Sequence, residues 1–122
     1  MVAHAREDAP NECCGMLGGE DGEAMSIHRV PNAEASPFRF EMTGQPLFDG
    51  LNAIDRAGQE LVGIYHSHTR SGARPSQTDI NLARNWPDPV WVIVSLEDPE
   101  NPDIRGFWIR DGDVQEEQLD IG

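Results

Sequence analysis

The stretch LVGIYHSH at positions 61–68, continued by TRSGARP at 69–75 and SQTDINLAR at 76–84, decides how this chain is read. Leu61 to Tyr65 is an apolar, strand-forming run that passes without a break into His66-Ser67-His68. A polar loop of Gly, Arg and Pro follows from Thr69 to Pro75, and Ser76 to Arg84 has the capped start of a helix. Side chains two apart on a strand share a face, so His66 and His68 can present two imidazoles to one side. Asp79 lies eleven positions after His68, in the first turn of the helix, where it can reach back over the strand end. Two imidazoles and one carboxylate, with a position left for water, are the arrangement of hydrolytic zinc. Each piece also has a plainer reading. A His-x-His pair is often two exposed rings, and Ser76-x-x-Asp79 is equally a helix N-terminal cap. A carboxylate has two oxygens, so capping and metal ligation do not exclude one another.

Outward from that stretch, Cys14 to Leu17 is a short apolar run closed by Gly18 and Gly19, and Ala24 to Val30 is a strand after a charged turn. Phe38, Phe40 and Met42 alternate with Arg39 and Glu41, the period of a half-buried strand. A helix follows, with Thr43 at its cap, Pro46 in its first turn, Leu47, Leu51 and Ile54 on one face, and Gly58 at its end. Val90 to Leu96 is the most strand-like stretch of all. Ile104–Arg110 and the residues from Val114 onward form a hairpin through Asp111-Gly112-Asp113. At the start, Val2, Ala3 and Ala5 belong to a helix stopped by Pro10. Helices alternate with strands while hairpins bring antiparallel pairing, so the expected fold class is α/β or α+β, a mixed β-sheet flanked by helices. With no repeat and no linker, residues 1–122 are expected to form a single domain.

Composition narrows the function. The 122 residues carry 22 Asp and Glu against 9 cations, all of them arginine, for a net charge of −13. Such a chain repels polyphosphate backbones and anionic lipid, which argues against nucleic-acid or membrane partners. No apolar run approaches the ~20 residues of a membrane span, and MVAHAREDAP has no signal-peptide core. A cytoplasmic protein is expected. Cys13 and Cys14 are adjacent, which disfavours a disulfide and suits a reducing compartment; the pair is expected as small buried residues entering a strand.

His66-x-His68, ten intervening residues, Asp79, and Ser76 three before it together resemble the metal motif of the JAMM (MPN+) metalloprotease family. Pro10-Asn11-Glu12-Cys13-Cys14-Gly15-Met16-Leu17-Gly18-Gly19 resembles that family's P-x-E-x-C-G-x-L-x-G segment, the source of its catalytic glutamate. Pro31-Asn32-Ala33, Ser36-Pro37 and Tyr65-His66-Ser67-His68-Thr69 bring the likeness closest to compact bacterial members of the Mec type. The resemblance implies a JAMM/MPN (cytidine-deaminase-like) fold and one Zn2+ per chain on His66, His68 and Asp79. It implies that Glu12 moves the proton from water to the leaving amine and that Ser76 donates to the oxyanion. Neither cysteine is then a ligand, and His4 and His28, which match no ligand position, are expected at the surface.

The activity implied is hydrolysis of an amide or isopeptide bond at the C-terminal Gly-Gly tail of a ubiquitin-like or sulfur carrier protein, releasing cysteine. Arg70 and Arg74 are candidates for binding the α-carboxylate of that cysteine. An exposed sheet edge beside the histidines could pair with the tail. Competing readings are deconjugation of a ubiquitin-like modifier from protein lysines, a non-catalytic MPN scaffold, a 2-His-1-carboxylate iron oxygenase and a cysteine hydrolase. The family's opening strand has no counterpart from Met1 onward, so either the true N-terminus lies upstream of Met1 or this member lacks that sheet edge, and a homodimer stays open. There is also no room for the insertions with which linkage-specific deubiquitinases hold a second ubiquitin.

Overall fold

Two Asp-Gly turns set the outer hairpins of the sheet. Asp21 and Gly22 both take positive φ (51° and 76°), as do Asp111 and Gly112 (52° and 82°), the geometry whose twist matches the strands it joins. The computed structural model describes residues 1–119. Its strands are β1 (Cys14–Glu20), β2 (Glu23–Val30), β3 (Glu60–His68), β4 (Val90–Ser95), β5 (Asp103–Arg110) and β6 (Asp113–Glu117). Its helices are α1 (Val2–Asp8), α2 (Gly44–Arg56) and α3 (Gln77–Leu82), the last followed by a 3-10 turn, Ala83–Asn85. The six strands form one sheet in the order β2-β1-β3-β4-β5-β6. Only β3 and β4 run parallel, which requires a crossover, and α3 lies in it. The expected mixed sheet flanked by helices is therefore present. Among the described residues no helix is long and apolar enough to cross a membrane.

The sheet buries both faces. One packs Cys14, Met16, Ile64, Trp91, Ile93 and Phe107 against Ile54 of α2 and Ala83 after α3. The other packs Cys13, Leu17, Tyr65, Val92 and Val94 against Ala5 of α1. Adjacent Cys13 and Cys14 thus point to opposite layers, both fully buried, as small hydrophobes entering a strand should. The register against β1 jumps from Leu17 opposite Gly63 to Gly18 opposite Leu61, leaving Val62 as an extra residue. This bulge puts Leu61 on the first face and Val62 on the second, while Ile64 and every second residue after it return to the first.

Two expectations need correction. Phe38 to Met42 is not a strand. Asn32 takes the place of a ladder there: its Nδ2 donates to the carbonyls of Glu12 and Arg39 (both 3.0 Å), and its Oδ1 accepts from the amides of Glu34 (3.0 Å) and Glu41 (3.1 Å). With those backbone groups bound by one side chain, the apolar alternation serves a loop that turns Phe40 inward and leaves Phe38 exposed. His4 is not a surface residue but 5% exposed. Its Nδ1 hydrogen-bonds the Tyr65 hydroxyl (2.8 Å), and its Nε2 lies 3.3 Å from Asp8 Oδ2. Burial pushes the His4 pKa down against the pull of Asp8. His28 is half-buried, bonded to Ser26 Oγ at 2.9 Å.

The Tyr65 ring reaches its His4 partner by crossing Gly15 on the neighbouring strand, where any Cβ would collide with the ring. Gly15→Ala is therefore expected to destabilise the fold by roughly 1–3 kcal/mol through overpacking. The check is the denaturant midpoint at unchanged m-value; a midpoint equal to that of the parent would show that Tyr65 yields freely.

Candidate metal centre

The centre is built where β1 and β3 run side by side. Cys14 stands opposite His66, and the pairing continues past the strand end, with Ser67 N donating to Cys13 O (3.1 Å) and Cys13 N donating to Ser67 Oγ (2.8 Å). Continued one residue beyond Cys13 and Ser67, the same register sets Glu12 on the face of His68, because directly opposed residues share a face. The loop after β2 holds Glu12 in place. Its amide donates to Ser36 O (2.8 Å), and its carbonyl accepts from Asn32 Nδ2 (3.0 Å).

His66 and His68 lie inside β3 itself, on one face. His66 Nε2 is 3.1 Å from His68 Nε2, and Asp79 Oδ2 lies 3.1 Å from the first and 3.0 Å from the second. Asp79 reaches them from the start of α3, where Ser76 is the N-cap. Asp79 N donates to Ser76 Oγ (3.1 Å), and Ser76 N donates to Asp79 Oδ2 (2.9 Å). Capping and convergence on the histidines thus occur together, and one oxygen serves both. Glu12, His66, His68 and Asp79 are all buried, and Ser76 is exposed at the rim.

Hydrogen-bond chemistry shows what this cluster lacks. His68 Nδ1 faces Gly72 O at 3.0 Å, and a carbonyl only accepts, so Nδ1 carries the proton. In a neutral ring the Nε2 lone pair then points at an anionic oxygen that cannot donate. Two ring nitrogens and an anionic oxygen within 3.1 Å of one another are a set that a cation between them would satisfy. Roughly 3.3 Å separates ligand atoms around a tetrahedral zinc bound at 2.0–2.1 Å, so the triangle is already close to size. Glu12 Oε1 and His66 Nδ1 are buried without a hydrogen-bond partner. An ordered water could satisfy the first. His66, His68 and Asp79 fit a divalent metal ion by donor type, number and spacing.

The electrostatics agree. Burial opposes the charge on Asp79, yet the two imidazoles and the Ser76 amide hold its carboxyl far below the usual range. Burial lowers the His66 pKa despite Asp79, whereas at His68 the same burial is outweighed by Asp79 and Gly72, and the pKa rises. Burial also pushes Glu12 up to about 8, against the pull of His68 and with the help of Asp79. Cys14, burial again being the main cause, is pushed up to about 12, and its Sγ donates to Val30 O at 3.3 Å. Cys13 is raised as well. Neither thiol is poised as a nucleophile, so the cysteine-hydrolase reading loses its footing.

The ring of Phe40 stacks on His66 at 4.5 Å between centroids and 24° between planes, with Trp91 edge-on at 6.0 Å. No ligand motif signals this wall; only the aromatic residues of 38–40 hint at it. Arg70 lies beyond His68 with its guanidinium 5.9 Å from the centre of the Phe38 ring. Arg74 is exposed in the same loop, without a side-chain partner among the described contacts. The exposed sheet edge expected beside the histidines is not there: β3 is paired on both sides, by β1 and β4.

A family model described as prokaryotic homologs of the JAB domain matches residues 1–110. The chain is 41% identical over 123 residues to the CysO-cysteine peptidase of Mycobacterium tuberculosis, covering 99% of this chain and 84% of that protein. It is 40% identical over 103 residues to the desampylase of Haloferax volcanii, covering 78% and 73% of the two chains. The solution structure of protein DSY2949 from Desulfitobacterium hafniense superposes with a TM-score of 0.86 at 35% identity, covering 97% of this chain and 83% of that one.

A buried carboxyl raised from 4.5 to about 8 binds its proton more tightly in the folded state than in the unfolded one. Stability from this group is fully present below the unfolded pKa and is lost as pH rises through the folded one. In chelator-treated protein, Glu12→Gln should therefore gain in melting temperature relative to the parent as pH rises from about 4.5 to about 8. A constant difference between the two melting curves across that range would show that Glu12 titrates alike in the folded and unfolded chain.

Proposed function

This chain belongs to the family of prokaryotic homologs of the JAB domain, and from that premise we propose that it is a zinc hydrolase acting at the C-terminal tail of a ubiquitin-like sulfur carrier protein. The observation that carries the hydrolase reading is Glu12: a buried carboxyl with an unpartnered oxygen, close enough to feel the charge of His68 and Asp79, its pKa pushed up to about 8 by burial. Sulfur-carrier processing is supported by 41% identity over nearly the whole chain to a CysO-cysteine peptidase.

The roles follow from what each group can do. His66, His68 and Asp79 would hold one Zn2+ per chain. Zinc there would supply Lewis acidity, polarising the scissile carbonyl and bringing the pKa of water to about 7. Glu12 would take the proton of the attacking water on its free oxygen and return it to the departing amine, a double duty suited to a group whose pKa lies near the working pH. Ser76 Oγ already accepts from the Asp79 amide, so its own O–H is free to donate to the oxyanion. Phe40 and Trp91 wall the histidines on the core side. A carrier tail ending in Gly-Gly suits a buried centre, because glycines bring their backbone close without a Cβ. The bond cleaved in this reading joins the last glycine to a C-terminal cysteine. A second reading, release of a ubiquitin-like modifier from protein lysines, is favoured by the 40% identity to a desampylase.

Asp79→Ala should abolish stoichiometric zinc in elemental analysis, since it removes both a ligand and half of the helix cap. Glu12→Gln should keep the metal while turnover falls at least about 100-fold, the usual cost of losing a general base. Full zinc in the first variant, or near-parental turnover in the second, would reassign the roles. The substrate is checked with three carrier proteins: one ending in Gly-Gly-Cys, one with its last glycine replaced by valine, and one conjugated through a lysine. Cysteine release from the first alone is expected; cleavage of the lysine conjugate alone would select the second reading.

A further inference from the structure

β4 ends beside β3 in parallel register, and Ser95 stands opposite His68 there. The next amide, Leu96 N, donates to His68 O at 2.9 Å, so the backbone of this histidine is pinned to the end of β4. Ser95 is buried, and its hydroxyl is used twice. Oγ accepts from the amide of Glu97 (3.2 Å) and donates to Ser71 O (2.5 Å), in the loop that carries the chain away from His68.

The carbonyl after Ser71 O is the one that matters to the centre. Gly72 O accepts from His68 Nδ1 at 3.0 Å, which leaves the Nε2 lone pair facing His66 and Asp79. Ser71 and Gly72 are exposed, so water competes for that carbonyl. The Arg74 amide also donates to Gly72 O (2.9 Å), which shapes the turn without tying it to the sheet. Glycine has the widest backbone freedom of any residue, so a bond inside the loop does not by itself keep Gly72 O aimed at the ring. Two anchors flank it: Ser95 holds Ser71 O, and Ala73 is sunk in the core.

Resting on the metal-binding reading above, we infer that Ser95 is a positioning residue of the metal centre: its hydroxyl holds the loop so that Gly72 O keeps the proton on His68 Nδ1 and the Nε2 lone pair on the side of Asp79. Ser95 acts through His68 and touches none of the converging atoms. A ring free to change tautomer or to swing would offer its lone pair to an ion only part of the time, and affinity falls by that fraction. Hydrogen-bond partners that orient a ligating histidine are worth about 10- to 100-fold in metal affinity. His66 is held by another means. Its Nδ1 has no hydrogen-bond partner, and the Phe40 ring stacked on it at 4.5 Å sets its plane. The two histidines are thus oriented by different devices, packing for His66 and a hydrogen-bond chain ending at Ser95 for His68.

The test measures the zinc affinity of the full-length protein by competition with a chelating indicator, with no substrate present. Ser95→Ala should bind zinc about tenfold or more weakly than the parent. Ser95→Cys, close in size but a weaker donor, should fall between the two. Ser26→Ala is the control: it removes a hydroxyl on β2 that bonds His28 and Gln59, and it should keep the parental affinity. A second readout is the proton NMR signal of His68 Nδ1–H in zinc-loaded protein, sharp in the parent and broadened by exchange with water in Ser95→Ala. Both readouts apply equally to Ser95→Cys should Ser95→Ala fail to fold. Parental zinc affinity in the Ser95 variants, a signal that stays sharp in them, or an equal loss of affinity in Ser26→Ala each overturns the role of Ser95 and leaves the metal site standing. Failure of the parent to bind zinc overturns both.

Discussion

One carboxylate oxygen holds three parts of the chain together. Asp79 Oδ2 accepts the Ser76 amide at the head of α3 and meets the ring nitrogens of His66 and His68 at the end of β3, all within 3.1 Å. A helix of only six residues has little stability of its own; the cap supplies some, and the crossover to β4 supplies the rest. The link between cap and strand fixes where the crossover begins. It also costs something: a nearly dry carboxylate is tolerated only because every neighbour opposes its burial. Removing a histidine would leave a buried anion short of partners, so fold and site are coupled at this atom.

The centre also depends on register. His66 and His68 face α2 and α3, not α1, because the bulge at Val62 resets the alternation of β3 before the histidines are reached. Without that extra residue, pairing that keeps the lower half of β3 in place would turn both imidazoles toward the α1 layer, away from Asp79. Glu12 obeys the same rule from the other strand. Cys13, Glu12's neighbour, therefore packs behind the sheet and serves the core, while Cys14 is spent on a hydrogen bond to β2.

Much of this was legible in the sequence because it is local. Period and spacing placed the histidines on a strand, Asp79 on a helix start and the two terminal hairpins at their turns. What stayed hidden depends on partners far along the chain. The alternation of Phe38, Phe40 and Met42 is real, but it belongs to a loop bracketed by Asn32, and no period in the sequence separates that from a ladder. His4 matches no ligand spacing and so looked like a surface residue; its burial depends on Tyr65, sixty-one positions away, and on the glycine that Tyr65 crosses. Arg6 is equally remote in sequence from Arg70, and the two line one cleft only because α1 packs beside the loop after β3.

The exclusive use of arginine fits this surface. A guanidinium is flat and weakly hydrated, so it can lie against rings and still offer directed donors. Arg110 lies 4.6 Å from the centre of the Trp108 ring, and Arg70 leans toward Phe38 in the same way. An ammonium group would be held back by its hydration shell, and on a chain of net charge −13 it would be drawn to the nearest carboxylate. Arg29 and Arg105 do pair with neighbouring acids. At the cleft between α1 and β3 the lining provides no acid, Pro99 O orients Arg6, and an aromatic ring steadies Arg70. Most of the donors of both groups make no hydrogen bond among the described contacts, so the cleft carries positive charge on a surface that is otherwise acidic.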